Sequence, residues 1–406
     1  MRHVVVLVLL TTLCACGDSA VADDEGACAG LEVTVEGTPG DDVLRGTSGP
    51  DVIVGRGGDD RLEGLAGDDV LCGGTGADTL VGGEGDDRLD GGADKREVAD
   101  TEYHEWYGDT LDGGPGNDVL DPVRSRTDEV HARPDTLTFA AAPAGVVVDL
   151  AAGTATGDGT DTIIGEPGEV VGSAHDDRLL GSDRGESLIG GRGSDHLDGR
   201  GGKDILYGAG KDPGEGERSG NVLVGGPGGD ELTGSGGRDE LRGGAGADLL
   251  SGEGGVDRLF GEDGDDALND QVVPAPGQVL DGGPGRDWFN GVWLGRDDPA
   301  TRPTGTIDLR AGRLTTVLEG VDLIVSIPGL ENVSTPNGPW TVIGTDGPNE
   351  ILGGFEQDPV EIHAGAGDDT LSGSFEDDLL VGGPGTDTAS PWVGNDRLVS
   401  IEKVLR

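Results

Sequence analysis

From Gly37 to Asp90 one aliphatic residue recurs at every ninth position: Leu44, Ile53, Leu62, Leu71, Leu80 and Leu89. Alternate side chains of a strand point to opposite faces, so one such residue with a neighbour on each side predicts a three-residue strand with a single inward side chain. The rest of each nine-residue unit reads as turn. Its first position is always Gly (Gly37, Gly46, Gly55, Gly64, Gly73, Gly82), and so is its fourth (Gly40, Gly49, Gly58, Gly67, Gly76, Gly85). Its sixth position is always Asp: Asp42, Asp51, Asp60, Asp69, Asp78 and Asp87. Glycine allows left-handed backbone and close approach of one chain to another. Each unit is therefore half a coil, and two units make a full coil with a strand on either side.

The pattern returns downstream. Gly172 to Tyr207 holds four units, with Asp177, Asp195 and Asp204 in the sixth position, Glu186 replacing one Asp, and His175 and Arg184 replacing the second Gly. A degenerate unit at 216–224 leads into five regular ones carrying Asp230, Asp239, Asp248, Asp257 and Asp266. Single units at 113–121 and 282–290 supply Asp118 and Asp287. A worn group from Gly344 to about Ala389 keeps Asp369, Asp378 and Asp387 in phase.

Stacked coils bring turns on the same edge to strand spacing, roughly 4.8 Å. Carboxylates that close repel, and a divalent cation reverses the sign. Carboxylates with backbone carbonyls make an all-oxygen set suited to Ca²⁺; Zn²⁺ or copper would want the imidazoles or thiolates that these units lack. The nonapeptide resembles the RTX (repeats-in-toxin, haemolysin-type) calcium-binding repeat family. The resemblance implies an all-β fold, a parallel β-roll or β-helix-like solenoid in several blocks joined by short β-rich segments. It implies rows of Ca²⁺ along both edges, with the sixth-position aspartates as ligands and roughly ten to fifteen ions in all.

Between the blocks, Val146–Gly165 and Thr306–Val333 look like copies of each other. Each has a strand ending in Asp-Leu (Asp149-Leu150, Asp308-Leu309), then Ala-Gly, then a Thr-rich strand. Asn395–Val404 echoes part of them. Alternating apolar and polar residues predict strands that continue or cap the rolls. The expected divisions are a signal at 1–15, a linker at 16–36, a first roll at 37–91, and an irregular insertion with one repeat at 92–136. A β-rich segment at 137–171, a second roll at 172–269, a repeat plus the second β-rich segment at 270–343, a degenerate roll at 344–389 and a cap at 390–406 follow.

Composition changes the picture in one respect. The chain has 81 Gly and 21 Pro in 406 residues and a net charge of −51, with only 13 aromatic residues. Without a period this would read as disorder. With the period, many of the Gly are turn positions and many of the Asp are candidate ligands in a fixed register. The same charge excludes nucleic acid, whose phosphates it would repel.

At the N-terminus Arg2 precedes the apolar run Val4–Leu10, too short to span a bilayer and suited to an export signal. Leu13-Cys14-Ala15-Cys16 followed by Gly17 resembles a bacterial lipoprotein signal, which implies lipid on Cys16. Acyl chains would anchor the protein to a membrane face. An ordinary export signal cut near Ala20 or Ala22 is the alternative. Cys28 and Cys72 then remain, either as a disulfide, which export permits, or as two free thiols.

No catalytic signature is present. His104-Glu105 is not followed by a second His at metalloprotease spacing, and no G-x-S-x-G elbow occurs. The histidines His104, His131, His175, His196 and His363 are scattered. Tyr103, His104, Trp106 and Tyr107 cluster in the least repetitive stretch, either as a carbohydrate or partner contact or as an insertion packed on the roll. Of Trp288, Phe289 and Trp293, Phe289 holds the inward position of its unit. The expectation is a non-enzymatic, exported calcium-binding protein, lipid-anchored at the cell envelope or extracellular, whose folding is coupled to Ca²⁺. A calcium-stiffened adhesin or matrix component, with a cell-surface polysaccharide or protein as partner, is the alternative. A polysaccharide-acting β-helix enzyme is a more distant one.

Overall fold

The computed structural model describes residues 28–93, 108–122, 135–210, 218–271, 277–292, 304–318, 321–336, 338–354 and 358–405. Among these, every regular element is a β-strand except a 3₁₀ turn at Cys28–Gly30. Apart from two antiparallel excursions within sheet A, successive strands alternate between two sheets, sheet A and sheet B, so the chain winds as a parallel β-solenoid of about 17 turns.

The register follows the nine-residue period. In sheet B Leu44 pairs with Leu62 and Leu62 with Leu80. In sheet A Ile53 pairs with Leu71 and Leu71 with Leu89. Each aliphatic residue thus lies over its counterpart two units away. Insertions do not shift this register: Leu80 pairs with Leu111, Leu206 with Leu232 and Leu268 with Phe289. Sheet B runs strand to strand, all parallel, from Val43–Arg45 to Lys403–Val404, so the blocks and their joining segments form one ladder.

The core is two columns of side chains, one from each sheet. Leu62, Leu71, Leu80, Leu89, Leu250 and Phe289 have no exposed surface. One such side chain per unit contributes roughly 1.5–3 kcal/mol, which explains how so few aromatic residues suffice. In the regular blocks the strands are longer than three residues. Val52–Gly57 and Arg61–Ala66 continue through the next unit's first positions, because those backbones also stack on their counterparts, Arg56 on Gly74 and Gly57 on Thr75.

The two duplicated segments are coils of the same solenoid, each with an excursion the sequence did not disclose. Val147–Asp149, Thr154–Thr156 and Thr160–Ile163 form an antiparallel meander inserted in sheet A. Its outer strands pair in parallel with Arg178–Leu180 on one side and Val119–Asp121 on the other. Thr304–Asp308, Arg313–Leu318 and Val321–Ser326 repeat the arrangement. In each, the Asp of Asp-Leu caps the reversal: Asp149 Oδ1 accepts the Ala152 N–H at 3.0 Å and Asp308 Oδ1 the Ala311 N–H at 2.9 Å. A bidentate Arg200–Asp149 pair at 2.8 and 2.9 Å ties the first meander to the second block.

Cys28 and Cys72 are bridged, with Cα atoms 6.0 Å apart and a sequence separation of 44. The bridge fastens the 3₁₀ turn onto the strand Val70–Thr75. A loop of that length contributes about 4 kcal/mol in the chain-entropy account. On the outer faces, Arg45–Glu63 and Arg258–Glu240 link neighbouring coils; exposed pairs of this kind contribute at most about 1 kcal/mol.

The adjacent leucines of the strand Leu249–Glu253 test the register. Leu250 is fully buried and Leu249 is 37% exposed. Leu250→Ala is expected to cost about 2–5 kcal/mol, and Leu249→Ala less than about 1 kcal/mol, read as shifts of the urea midpoint. Equal shifts would contradict the packing.

Candidate metal sites at the two edges

The turns leading into sheet A form one edge and those leading into sheet B the other. On each, the sixth-position aspartates are joined by a hydrogen bond along the stack. The backbone N–H of Asp69 donates to Asp87 Oδ1 and that of Asp87 to Asp118 Oδ1, both at 2.8 Å. On the opposite edge Asp204 donates to Asp230 and Asp230 to Asp248 at 2.8 Å, then Asp248 to Asp266 and Asp266 to Asp287 at 2.9 Å. Asp42, Asp51 and Asp60 begin the two ladders. Asp177, Asp195, Asp239 and Asp257 belong to the sheet A edge. Asp369 and Asp387 are linked by the same bond at 3.0 Å, and Asp378 accepts from Val360 at 2.8 Å.

The other carboxylate oxygen decides what the turns can hold. Oδ2 of Asp69, Asp87, Asp118, Asp204, Asp230, Asp248, Asp257, Asp266, Asp287, Asp369 and Asp387 is buried and accepts no hydrogen bond. Each of these residues is at most 3% exposed. A buried carboxylate oxygen with no donor is costly, and a cation placed beside it would offset that cost. The Gly at the first position opens the space beside it. A Cβ on Gly64 would lie 2.4 Å from Asp69 Oδ2 and 2.5 Å from the Gly82 carbonyl oxygen; on Gly243 it would lie 2.4 Å from Asp248 Oδ2 and 2.7 Å from the Gly261 carbonyl oxygen. Carboxylate and carbonyl oxygens of successive coils thus converge where any side chain would intrude. Among the described residues no three His, Cys, Asp or Glu side chains gather at one point. A cation here would therefore take much of its shell from backbone carbonyls, an oxygen set that fits Ca²⁺.

Asp42, Asp51, Asp177, Asp239 and Asp378 differ. Their Oδ2 accepts the backbone N–H of a Thr or Ser at the second position of the same turn, at 2.6–2.7 Å. Sequence reasoning set these beside the others because the sixth position alone does not distinguish them. It also passed over Asp109, Asp135 and Asp161, which extend the ladders outside the nonapeptide phase: Asp78 donates to Asp109 and Asp109 to Asp135 at 2.8 Å, and Asp118 to Asp161 at 3.0 Å. Their signal was present as Asp-x-Leu or Asp-x-Ile. A second, exposed ladder uses the fifth position and runs the opposite way. Asp59 donates to Asp41 Oδ1 at 2.9 Å and Thr386 to Asp368 Oδ1 at 2.8 Å. Phe289 is buried in the core, as its position requires. Cys16, the aromatic stretch 94–107 and Trp293 lie outside the described residues.

Burial moves many of these carboxyls upward, Asp69, Asp230 and Asp266 among them. It holds Asp87 and Asp248 at about 6 and Asp118, Asp204 and Asp287 at about 7. At Asp257 burial, reinforced by the charge of Asp270, holds the carboxyl at about 8. Asp42 and Asp51 move the other way, held down by the N–H and hydroxyl of Thr38 and Thr47.

A raised folded-state pKa adds stability that is complete below the unfolded value near 4 and is lost as pH rises through the folded values. In cation-depleted buffer the β-sheet circular dichroism is therefore expected to be retained near pH 5 and lost by about pH 8. A β signal that strengthened across that interval would contradict the assignment. Asp42 and Asp51 oppose this trend, since their contribution is lost on acidification, but they are outnumbered.

The profile of the RTX calcium-binding nonapeptide repeat matches residues 36–71, 73–95, 106–121, 180–210, 215–250, 233–268 and 362–398. These segments span the two main blocks and the C-terminal group. No curated protein matches the chain significantly. With the period, the stacked coils and the buried aspartate ladders in agreement, the chain carries RTX calcium-binding nonapeptide repeats across its length.

Proposed function

We propose that this protein is an exported, lipid-anchored calcium-binding β-roll of a bacterial cell envelope, a structural or binding protein and not an enzyme. The observation that carries the calcium part is the row of buried Oδ2 atoms with no hydrogen-bond donor, from Asp69, Asp87 and Asp118 on one edge to Asp204, Asp248 and Asp287 on the other. These would be the side-chain ligands, with first-position carbonyls such as those of Gly82 and Gly261 beside them. Bound Ca²⁺ supplies positive charge at the places where the fold buries negative charge. The residues themselves set the consequence: without compensation, burial disfavours the ionised carboxylates, and stacking one coil on the next adds to the cost. Sites between coils couple binding to folding, and millimolar extracellular Ca²⁺ suits modest-affinity sites of this kind.

The purified chain is expected to lose most of its β-sheet circular dichroism in EDTA at neutral pH and to regain it in millimolar Ca²⁺. A spectrum unchanged between the two conditions would overturn the coupling.

Export and anchoring rest on the sequence of the first residues, Val4–Leu10 and Leu13–Cys16. In a bacterial host the protein is expected to fractionate with membranes, and Cys16→Ala to move it to the soluble fraction. Membrane association unchanged by that substitution would remove the anchor from the proposal.

A further inference from the structure

We propose that the residue at the second position of each nonapeptide sorts the turns into two classes. Only the class with left-handed backbone there takes calcium, and the class with Ser or Thr there closes on itself. This rests on the calcium reading above and goes beyond it by saying which aspartates are ligands.

In the left-handed class the second residue has positive φ: +82° at Leu65, +115° at Gly83, +68° at Arg200, +115° at Gly244 and +71° at Glu262. Its N–H is turned away from the turn's own sixth-position carboxylate: that of Gly83 donates to the Gly113 carbonyl oxygen at 3.0 Å and that of Arg200 to Asp198 Oδ1 at 3.1 Å. The turn's own carboxylate then receives nothing at Oδ2: Asp69, Asp87, Asp204, Asp248 and Asp266 all have that oxygen buried without a donor. Left-handed backbone at a residue with a Cβ costs roughly 1–2 kcal/mol. Its presence at Leu65, Arg200 and Glu262 shows that the conformation is required of the turn and is not a convenience of glycine.

In the other class the second residue caps the carboxylate. The Thr47 N–H and hydroxyl reach Asp51 Oδ2 at 2.6 and 2.8 Å. Those of Ser235 reach Asp239 Oδ2 at 2.7 and 3.2 Å, while Asp239 Oδ1 takes the Asn221 N–H at 2.6 Å. Both oxygens are provided for from within the protein.

The sixth position gives an independent sign. Every described nonapeptide turn with a left-handed second residue has Asp there. The capped class also admits Glu186, beside Ser182, and Asn349, beside Thr345. Asn349 Oδ1 accepts the Thr345 N–H at 2.7 Å, and its amide donates to the Glu331 carbonyl oxygen at 2.7 Å. A neutral side chain completes that turn, so the turn has no need of a cation.

The capped turns also have a place. Thr38 and Thr47 open the first block, Ser173 and Ser182 the second, and Thr345 the third. Each block therefore begins on turns that close without metal, and the metal-taking turns follow. Ser235 and Ser374 are the capped turns inside blocks.

Equilibrium dialysis of the full chain with radioactive ⁴⁵Ca²⁺ tests the division. Asp248→Asn is expected to lower the number of ions bound at saturation by about one or two, and Asp239→Asn to leave it unchanged. Equal losses, or no loss from Asp248→Asn, would overturn the division. Should either variant fail to fold, Asn349→Asp serves: a carboxylate added to a capped turn is expected to add no bound ion, and a gain would overturn the proposal. A wild-type chain that binds no Ca²⁺ would instead defeat the calcium reading itself, so the two failures are distinguishable.

Discussion

The hydrogen bond from a sixth-position backbone N–H to the carboxylate one coil further on is the interaction the solenoid depends on. It calls for a side-chain carboxylate or amide oxygen at the turn, reaching along the stack to the coil it touches. Asp meets this in nearly every turn, and where Asn221 stands instead, its carbonyl oxygen accepts the Asp195 N–H at 2.8 Å. Once Oδ1 is committed, Oδ2 is carried inside as well. The first-position Gly leaves room for it, and the fourth-position Gly lets the coils close: a Cβ on Gly85 would come 2.0 Å from the Gly67 carbonyl oxygen. One contact therefore explains the spacing of the glycines, the acidity and the burial of charge.

That contact also sets the character of the stability. Each coil buries one inward side chain per sheet, and the strand pairings that join coils run between neighbours, with the Arg200–Asp149 pair and the Cys28–Cys72 bridge reaching one coil further among the described residues. Stability is then a sum of coil and interface contributions, as in other repeat proteins. The apolar column favours stacking, whereas each buried carboxylate opposes it at neutral pH. Neither wins everywhere. Near Cys28 the disulfide and the Thr38 and Thr47 caps favour the stack, while along Asp69, Asp87 and Asp118 the buried carboxylates oppose it.

Much of this was legible in the sequence because the period is strict. Leu62 and Leu80 are forced into one column by spacing alone, and Asp69 and Asp87 onto one edge. The antiparallel meanders were not legible. Alternation in Val146–Gly165 and Thr306–Val333 identifies strands but carries no direction, and only the cap of Asp149 on Ala152 shows where the chain reverses. Nor could spacing decide the Cys28–Cys72 bridge. It depends on the 3₁₀ turn lying beside the strand of Cys72, which follows from the pairing of Val35 with Ile53. The second-position rule was visible as Thr47 against Leu65, but its meaning lies in backbone torsion and in which N–H is free to turn inward.

The net charge of −51 divides along the same lines. Fifth-position carboxylates such as Asp59 and Asp368 accept one N–H each at the surface, where water solvates the rest, so they cost the fold little. Sixth-position carboxylates are buried, and the capped ones among them are satisfied by Thr or Ser. What remains is the set whose second-position residue has been turned left-handed, in several cases against its own preference. A turn strained in its backbone and unsatisfied at its carboxylate is unfavourable by itself. Carboxylates left unsatisfied in this way follow one another along an edge, as at Asp69, Asp87 and Asp118, so their cost accumulates with length, and the capped coils at the head of each block limit it to the part that follows. The charge that looks like a mark of disorder is thus sorted by position, and the fraction that opposes folding is the fraction a divalent cation can neutralise.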